Sequence, residues 1–546
     1  MRSEDPELWR WRRAAPVRGR DRLFLAALIG AGLLSTVRFA DWWFAPAHVA
    51  VAPLYVLLSL AIWYGVSRMV LGWIGLLAIR RPKHRPAPEG LRVAIFTTSS
   101  PGEPLAMFEK TLAACARIRY PHTTYLLDDT EDPRFREVAE RHGAEWLELV
   151  GLPGAKAGKI NAALECTDED FILVLDPDHI PFPGFLDRVL GHFDDPEVGF
   201  VQVCQAYHNQ ARSFTARGAA EQTYAFYGPT QMGLFGHGGT VAIGANCTFR
   251  REALDSIGGH GIGLAEDLVT SIRLHAAGWR SVYVPEVVSR GLVPEDIGSF
   301  YRQQLKWARG VFEVLFSELP RAFGRLSWRQ RLTYLTIGTY YLFGLTTLIY
   351  LAIPYLYLWT GVQPASMAFV EFIIVGGPVA ALGAAIYLYS QRWLCHPAME
   401  RGLHWRGLAL KVGSWPVYLA GTVLAVLRAE IAYVPTAKEA RRGRFFQLGW
   451  PHLALAALYL VTVGWTAYRR LYLAPEGMLF LTSEAVWGMI SFASLAVLLV
   501  GGAIHAAWEA RSLPSEAPWD GVDPDLIGEQ SSDPARRTAQ RESSTP

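Results

Sequence analysis

Long apolar runs at both ends of the chain enclose a middle region in which the apolar runs are short. The first extends from Leu23 to Val37 and continues to Phe44, and the next extends from Val49 to about Val66. Four more follow later in the chain, at about 333–357, 367–389, 452–468 and 486–508. Each is close to the roughly 20 residues that a helix needs to cross a bilayer. The pattern predicts about six transmembrane helices.

Basic residues flank the first two runs. Residues 1–22 contain seven arginines, and Arg80, Arg81, Lys83 and Arg85 follow the second run. The first run lacks a small-residue cleavage site and a second run follows at once, so we expect a signal anchor and not a cleaved signal. The positive-inside rule then places residues 1–22 in the cytoplasm, two helices and a basic linker in 23–80, and a cytoplasmic domain in 86–325.

The middle region alternates short apolar segments with polar stretches that have helical spacing. This is the rhythm of βαβ units and predicts an α/β domain inserted in an α-helical polytopic membrane protein. The predicted strands are Leu91–Thr97, Tyr125–Leu127, Trp146–Val150, Phe171–Leu175 and Val198–Val203.

The C-terminal part contains one ambiguous segment. Residues 409–427 are apolar enough to span, yet basic residues flank them on both sides and Pro416 interrupts them. We therefore expect a helix that lies in the membrane interface. The expected order is two transmembrane helices in 326–389, the interfacial helix and a loop in 390–450, and two further transmembrane helices in 451–510. The polar tail, 511–546, is expected to be disordered and cytoplasmic.

Composition supports a membrane protein and excludes some other classes. Half of the residues are hydrophobic (51%), and there are 19 tryptophans. The net charge of +2 indicates no general polyanion-binding surface, so we expect the lipid bilayer and no nucleic acid as a partner. Five scattered cysteines suggest neither a zinc site nor a disulfide framework.

Two predicted strands run directly into acid pairs. Phe171–Leu175 ends in Asp176-Pro-Asp178-His179, and Tyr125–Leu127 ends in Asp128-Asp129. Ligands of α/β sheets bind at the carboxyl ends of the strands, where carboxylates suit a Mg²⁺ ion that also contacts phosphates. Each pair taken alone also fits an ordinary turn or helix cap.

Two further motifs combine a helix start with charged side chains. Lys156 and Lys159 open a helix after a Gly/Pro-rich loop, where an anion is favoured, although an ordinary basic helix start fits as well. A glycine-rich loop precedes Glu266 and Asp267, and we take Asp267 as the candidate general base, with a capping acid as the alternative.

Gln303, Lys306 and Trp307 share one face of a predicted helix. The indole suits stacking on a sugar ring, and the ammonium could neutralise a departing pyrophosphate. An amphipathic helix lying on the membrane, with the tryptophan as its anchor, is the alternative.

The order of these motifs resembles the family-two glycosyltransferases, within them the processive cellulose-synthase-like membrane enzymes. The family pattern is Asp-Asp, Lys-Ala-Gly-Asn, Asp-x-Asp, Thr-Glu-Asp and Gln-x-x-Arg-Trp. The chain has Asp128-Asp129, Lys156-Ala-Gly-Lys159, Asp176-Pro-Asp178, Ala265-Glu266-Asp267 and Gln303-Gln-Leu-Lys306-Trp307. In addition, Phe200-Val-Gln202 resembles an acceptor-side motif, and Tyr433-Val-Pro-Thr436-Ala-Lys438 resembles the gating loop that closes over the nucleotide.

The resemblance implies a domain of the GT-A type and a role for each motif. Asp178 and His179 would bind Mg²⁺ or Mn²⁺, and the catalytic group would be Asp267, Glu266, Gln303, Lys306 and Trp307. The donor would contact Asp128, Asp129, Lys156, Lys159, Asp176, Tyr433, Thr436 and Lys438. The acceptor would contact Trp307, Phe200, Gln202 and Gly244.

The implied activity is inverting, processive polymerisation of a β-glucan from UDP-glucose, with the growing polysaccharide translocated across the plasma membrane. The chain departs from the family at Ala265, Lys159 and Lys306, and lacks the Phe-Phe-Cys-Gly element near Gly244. We also expect no cyclic-di-GMP receptor domain after the last span.

The glycosidic linkage and the donor sugar stay open, with UDP-N-acetylglucosamine or UDP-glucuronate as other donors. The alternatives are a nonprocessive enzyme that makes a glycolipid or polyprenyl-linked sugar, and a transporter or scaffold with a degenerate domain.

Overall fold

A computed structural model describes residues 8–429, 431, 435–472, 483–513 and 517–523. Helices dominate both ends and strands occur mainly in the middle, as the hydrophobic pattern predicts. The α-helices are α1 (Gly19–Trp43), α2 (Ala52–Leu77), α3 (Leu105–Cys115), α4 (Pro133–Arg141), α5 (Ala155–Cys166), α6 (Phe185–Val189), α7 (Phe214–Ala225), α8 (Gln231–Gly236), α9 (Arg251–Asp255), α10 (Glu266–Ala276), α11 (Ile297–Phe316), α12 (Glu318–Ala322), α13 (Trp328–Gly338), α14 (Phe343–Thr360), α15 (Phe369–Ser390), α16 (Pro397–Glu400), α17 (Trp405–Gly413), α18 (Trp415–Val426), α19 (Phe445–Tyr472) and α20 (Ser483–Glu509). The strands are β1 (Arg12–Arg13), β2 (Val93–Thr98), β3 (Thr123–Asp128), β4 (Glu145–Glu148), β5 (Phe171–Leu175), β6 (Ile180–Pro181), β7 (Val198–Val203), β8 (Cys247–Arg250), β9 (Arg280–Val284), β10 (Glu286–Val287) and β11 (Ser289–Arg290).

Six helical segments of the described residues are long and apolar enough to cross a membrane. This agrees with the six spans predicted from the hydrophobic runs. The third combines α13 and α14 through a 3₁₀ turn at Tyr340–Leu342. The segments are Gly19–Trp43, Ala52–Leu77, Trp328–Thr360, Phe369–Trp393, Phe445–Arg469 and Ala485–Glu509.

A seven-stranded mixed sheet forms the centre of the α/β domain, in the order β4-β3-β2-β5-β8-β7-β9. Strands β4, β3, β2 and β5 are parallel, β8 is antiparallel to both of its neighbours, and β9 is parallel to β7. All five residues of β5 are buried, as expected for a central strand covered on both faces. The expected α/β domain within a polytopic membrane protein is confirmed.

The sheet order reverses between β2 and β5, because β3 follows β2 on one side while β5 lies on the other. Such a reversal opens a crevice at the carboxyl ends of the strands. Asp176 follows β5 at this edge and Ser99 follows β2. Strands β8 and β9 were not predicted from the sequence.

The segment before α1 is part of the α/β domain. Strand β1 pairs antiparallel with β10, and Trp9 is buried against Phe182 and His208. The Nε1 atom of Trp11 donates to Glu286 at 2.9 Å. The described part of the basic N-terminus therefore packs on the domain and is not a separate tail.

The ambiguous apolar segment forms two helices, α17 and α18, bent by 46°. Ser414 separates them, and Pro416 lies in the first turn of α18, where a proline is tolerated. If the two helices formed one span, the number of candidate spans would rise to 7. The placement of this pair in the interface stays a prediction.

The C-terminal tail differs in part from the expectation. Within residues 511–523, Leu513, Trp519 and Val522 are buried against the rest of the chain, so disorder does not hold for them. Residues 514–516 and 524–546 of the predicted disordered tail lie outside the described part. The tail contributes apolar side chains that a composition average over all 36 positions hides.

Candidate active site

One cavity of about 700 Å³ lies between the carboxyl edge of the sheet and the membrane helices. Its wall includes loops that follow β2 and β5, the start of α10, one face of α11 and parts of α2, α13 and α17. The cavity brings together most of the residues expected from sequence. Those that line it are Lys156, Asp176, Asp178, His179, Gly244, Glu266, Asp267, Gln303, Lys306, Trp307, Thr436 and Lys438.

Asp176, Asp178 and His179 converge in the loop after β5. One ligand atom from each lies within 4.8 Å of the others. The carboxylate of Asp178 accepts from the backbone amide of Leu292 at 3.2 Å and lies 3.3 Å from His179 Nδ1. Burial would raise the pKa of Asp178, but the nearby Lys438 and His179 outweigh it and lower the pKa below its usual value. The carboxylate is therefore ionised near neutral pH.

The same three residues fit a divalent cation. The Nε2 atom of His179 is buried and has no hydrogen-bond partner within the described chain, so one coordinating atom of the group is still unused. The imidazole packs flat against Gly291, where a Cβ atom would lie 2.4 Å from the ring. Two carboxylates form the oxygen-rich donor set that Mg²⁺ and Mn²⁺ prefer. A bound ion would neutralise diphosphate charge at this edge.

Lys438 reaches the acid pair from a distant part of the chain. Its Nζ lies 3.0 Å from Asp178 Oδ1. Burial alone would lower the pKa of Lys438, but Asp178 and Asp176 raise it above the usual value. Thr436 of the same loop also lines the cavity, whereas Tyr433, expected to contact the donor, lies outside the described residues.

Lys156 connects two sides of the cavity. Its ammonium donates to the carboxylate of Asp176 and to the carbonyl of Gly244. Burial opposes its charge, but Asp176, Glu266 and Asp267 together raise the pKa of Lys156. This cation therefore holds the acid loop after β5 next to the loop before β8.

The glycine in the Lys-Ala-Gly-Lys motif has a steric role. A Cβ atom at Gly158 would lie 2.0 Å from the carbonyl oxygen of Pro153. Only glycine lets the first turn of α5 pack against the preceding loop this closely. The close packing sets the direction in which Lys156 enters the site.

Glu266 and Asp267 form the start of α10. Both carboxylates face Gly244, where a Cβ atom would lie 3.5 Å from Asp267 Oδ2 and 3.8 Å from Glu266 Oε1. Burial, and then the neighbouring Glu266, raise the pKa of Asp267 to about 7. A carboxylate with this pKa near an open space can accept a proton at neutral pH.

Helix α11 lies directly on the loop that carries these acids. A Cβ atom at Gly310 would lie 2.9 Å from Leu264 Cβ and 3.0 Å from the backbone nitrogen of Ala265. The glycine therefore permits a close approach, and it brings Gln303, Lys306 and Trp307 to the cavity wall.

The helix face presents an indole and a cation to this space. The side chain of Trp307 is 37% exposed, which leaves its ring accessible from the cavity. Burial lowers the pKa of Lys306, while Glu266 raises it in part. The arrangement suits a sugar ring on Trp307 and a phosphate near Lys306.

Three residues expected to bind the donor are bonded within the protein. Asp128 accepts from Ser99, from Thr130 Oγ1 at 2.8 Å and from Trp146 Nε1 at 3.0 Å. Lys159 donates to the Ser99 carbonyl and lies 3.4 Å from Asp129. Asp128, Asp129 and Lys159 are not among the cavity-lining residues. Their direct contact with a donor stays a prediction.

Phe200 and Gln202, expected on the acceptor side, are completely buried in β7. Phe200 packs against Phe249 in the sheet core. The amide of Gln202 donates to the carbonyls of Ala245 and Asn246, and its oxygen accepts from Ile243 N at 3.0 Å. Gln202 thus positions the loop that carries Gly244 and does not line the cavity.

Sequence reasoning missed several lining residues. Glu103 lies in the loop after β2, at the carboxyl edge of the sheet, and burial raises its pKa to about 7. An acid in the loop that follows a predicted strand was the available signal. Arg68, Tyr340 and Lys411 also line the cavity, although they belong to segments interpreted as membrane or interfacial helix.

Comparisons with known proteins identify a family and several relatives that are similar to this chain. The profile of Glycosyl transferase family group 2 matches residues 171–377. Cellulose synthase 1 of Komagataeibacter xylinus is 30% identical over 294 residues, which is 52% of this chain and 18% of that protein. The UDP-forming cellulose synthase catalytic subunit of Pseudomonas fluorescens (strain SBW25) is 25% identical over 437 residues, 76% of this chain and 56% of that protein.

A solved structure is also similar. It is a mannosyltransferase from Pyrobaculum calidifontis in complex with GDP-Man and Mn²⁺, at 16% identity and a TM-score of 0.47, covering 69% of this chain and 100% of that one. The chain spans only 18% to 56% of the length of the two cellulose synthases. The sequence comparisons therefore relate the chain to glycosyl transferase family group 2 and to the catalytic subunits of bacterial cellulose synthases.

Proposed function

We propose that the protein is an inverting, processive glycosyltransferase that polymerises a β-glucan from UDP-glucose and moves it across the plasma membrane. One observation carries the proposal. The candidate base Asp267, the Lys306–Trp307 face, the Asp176–His179 loop and the ends of the membrane helices all line a single cavity. A sugar donor, an acceptor and an exit towards the bilayer can thus share one continuous space.

The proposed reaction uses the buried charges directly. Asp267 accepts the proton of the acceptor hydroxyl while that oxygen forms a bond to C1 of the donor sugar. The bond between C1 and the diphosphate oxygen breaks on the opposite face, so the configuration inverts and UDP leaves with the electron pair. A divalent ion held by Asp178 and His179 would supply charge stabilisation for the departing diphosphate.

Two lysines assist in this proposal. Lys306, on the face of α11, places positive charge where the leaving group develops negative charge. Lys438, 3.0 Å from Asp178, brings the loop at 435–438 over the nucleotide. Trp307 holds the acceptor sugar by stacking, which keeps its hydroxyl beside Asp267.

Processivity and translocation are supported by the membrane side of the cavity. Leu71 of α2, Tyr340 and Tyr341 beside α13, and Lys411 of α17 line the same space as Asp267. A chain extended at Asp267 therefore has a path towards the membrane helices without leaving the protein. We place the α/β domain, 86–325, in the cytoplasm, because basic residues flank the first two helices.

The donor is proposed from the relatives and from the site chemistry. The P. fluorescens relative is described as a UDP-forming cellulose synthase catalytic subunit, which suggests UDP-glucose. UDP-N-acetylglucosamine and UDP-glucuronate are the other candidates, because the acids, lysines and indole described above bind features common to all three.

A second candidate is a nonprocessive enzyme that transfers one sugar to a lipid-linked acceptor. The positively charged membrane end of the cavity favours it, since such acceptors carry phosphate next to the sugar. This end includes Arg68, Arg329 and Lys411.

The test uses the full-length protein in lipid vesicles with radiolabelled UDP-glucose, and with the two other UDP-sugars in parallel. We expect water-insoluble polymer sensitive to a β-glucanase, and none from the Asp267→Asn variant. A product that is entirely lipid-soluble and carries one sugar would replace the first proposal with the second. Absence of transfer from every donor would contradict both.

A further inference from the structure

The two ends of the cavity differ in charge: carboxylates and three lysines share one end, whereas the described charged residues at the other end are all cations. All of the carboxylates among its described lining residues belong to the sheet edge or to the start of α10, namely Glu103, Asp176, Asp178, Glu266 and Asp267. Three cations line the membrane end, where the wall is built from α2, α13 and α17: Arg68, Arg329 and Lys411. A substrate that fills the cavity therefore meets positive charge at the end away from the base.

Arg68 is held in place by backbone and hydroxyl groups. It lies on α2, one of the candidate spans. Its Nη1 donates to the carbonyl of Thr336 at 2.6 Å and lies 3.4 Å from Thr339 Oγ1. The guanidinium carbon is 5.2 Å from the centre of the Tyr340 ring. These contacts fix the position of the guanidinium but leave its charge without a neutralising acid in the described part of the chain.

Lys411 approaches the same ring from α17. Its Nζ is 4.8 Å from the centre of the Tyr340 ring and 4.6 Å from that of Phe343. Tyr340 therefore contacts two cations, and neither Arg68 nor Lys411 forms an ion pair with a carboxylate among the described residues. Arg329 adds a third, exposed cation at the start of α13.

Two neighbouring cations at the membrane boundary are costly without an anion. Like charges repel more strongly where the dielectric constant is low. A cation–π contact stabilises such a charge only weakly. Charged side chains in membrane segments typically face an internal cavity and mark a substrate path. An arginine fork beside a lysine is suited to a phosphate or a carboxylate.

We propose that the membrane end of the cavity is a binding site for an anionic group, a phosphate or a carboxylate, carried by the acceptor. The group would lie between Arg68 and Lys411, with the acceptor extending past Tyr340 to Trp307 and Asp267. This inference rests on the proposed function, because it takes the acceptor to reach Asp267 through this cavity. It deepens that proposal by naming a feature of the acceptor: an anionic group, either on the saccharide or on a lipid attached to it, at the end away from Asp267.

Direct binding tests the site independently of turnover. The detergent-solubilised full-length protein is titrated, without donor, with three probes: cellotetraose, a cellotetraose bearing glucuronate units, and a long-chain alkyl phosphate glucoside. We expect at least one anionic probe to bind about tenfold more tightly than cellotetraose, as for a charge-assisted hydrogen bond, and its affinity to fall as salt rises. The two anionic probes separate a carboxylate on the saccharide from a phosphate on a lipid.

Variants then connect the binding to the two cations. Arg68→Gln and Lys411→Gln should each weaken binding of the preferred anionic probe about tenfold more than binding of cellotetraose. Arg511→Gln is the matched control, because Arg511 lies 3.2 Å from the centre of the Trp508 ring near a helix end and does not line the cavity. Thermal unfolding of each variant shows whether the fold is kept.

Equal affinity for neutral and anionic probes would overturn the proposal. So would variants that weaken all three probes alike, since that is the result of a structural role. Selective anion binding by a protein that transfers no sugar from UDP-glucose would instead count against the proposed function and leave this site standing.

Discussion

The ammonium nitrogen of Lys438 lies 3.0 Å from a carboxylate oxygen of Asp178, although 260 residues separate them in the chain. The contact joins the loop at 435–438, which follows the bent pair α17–α18, to the loop after β5. Because Asp178 is also the candidate metal ligand, the loop is in contact with the place where a donor diphosphate would bind. The position of the loop at 435–438 therefore depends on the ion pair between Lys438 and Asp178.

Lys438→Gln should therefore weaken use of the donor. We expect kcat/KM for UDP-glucose to fall about 10- to 100-fold, the range for loss of one charge-assisted hydrogen bond. Steady-state kinetics in vesicles measure it. Lys83→Gln, at an exposed position between α2 and β2, is the control and should match the wild type. An unchanged kcat/KM in Lys438→Gln would remove this loop from the donor site.

The pH dependence follows from Asp267. Burial and the neighbouring Glu266 raise the pKa of Asp267 to about 7, and a base acts only when it is deprotonated. We expect kcat/KM to rise with pH, by about tenfold per unit below about pH 7, and to level off above it. A profile that is flat from about pH 5.5 to 8 would rule out this base.

Glu103 provides the control for that profile, since burial also raises its pKa to about 7. The Glu103→Gln variant should keep the same rise with pH if Asp267 is the group observed. Loss of the rise in this variant would assign the titration to Glu103.

Removal of divalent metal should abolish transfer. The ligand atoms of Asp176, Asp178 and His179 lie within 4.8 Å of one another, and the charge of a diphosphate leaving group needs a cation there. Adding Mn²⁺ after chelation should restore activity. A Mn²⁺ titration measured by electron paramagnetic resonance should show one bound ion, and the Asp178→Asn variant should bind that ion more weakly. Full activity in excess chelator would refute the metal assignment.

Lys306 replaces the arginine of the family motif, and substitutions that remove or keep its charge test its role. Lys306→Met should lower kcat about 100-fold or more, the typical loss when one group that stabilises transition-state charge is removed. Lys306→Arg should retain most of kcat, because charge is kept and a bidentate fork is added. Both are measured under saturating UDP-glucose. Equal loss in the two variants would mean that packing, not charge, matters here.

Gly244 offers a test of space beside the base. Its φ of +71° is strained for any residue with a Cβ atom, and that atom would lie 3.5 Å from Asp267 Oδ2. Gly238 has the same φ of +71°, but a Cβ atom there would have no heavy atom within 4 Å. We expect Gly244→Ala and Gly238→Ala to lower thermal stability alike, and only Gly244→Ala to reduce kcat. Equal kcat values would show that the space is not used.

The sequence alone determined the membrane spans and the central strand, and it located many of the residues that line the cavity. Spans were predictable because crossing a bilayer demands some 20 apolar residues in a row, and β5 was predictable because a strand buried on both faces is continuously apolar. Asp176 and Asp178 were found because they directly follow β5, and Asp267 was found because a glycine-rich loop precedes its acid pair. These are local requirements, and a local pattern reveals them.

Only the tertiary structure decided which side chains face the cavity. Asp128, Lys159 and Gln202 belong to motifs yet are bonded to neighbouring loops, whereas Arg68 and Lys411 belong to apolar helices yet line the cavity. The 3.0 Å contact of Lys438 with Asp178 likewise depends on how the helices bring distant segments together. Hydrophobic periodicity fixes which elements form, but the direction of a side chain depends on packing between elements far apart in sequence.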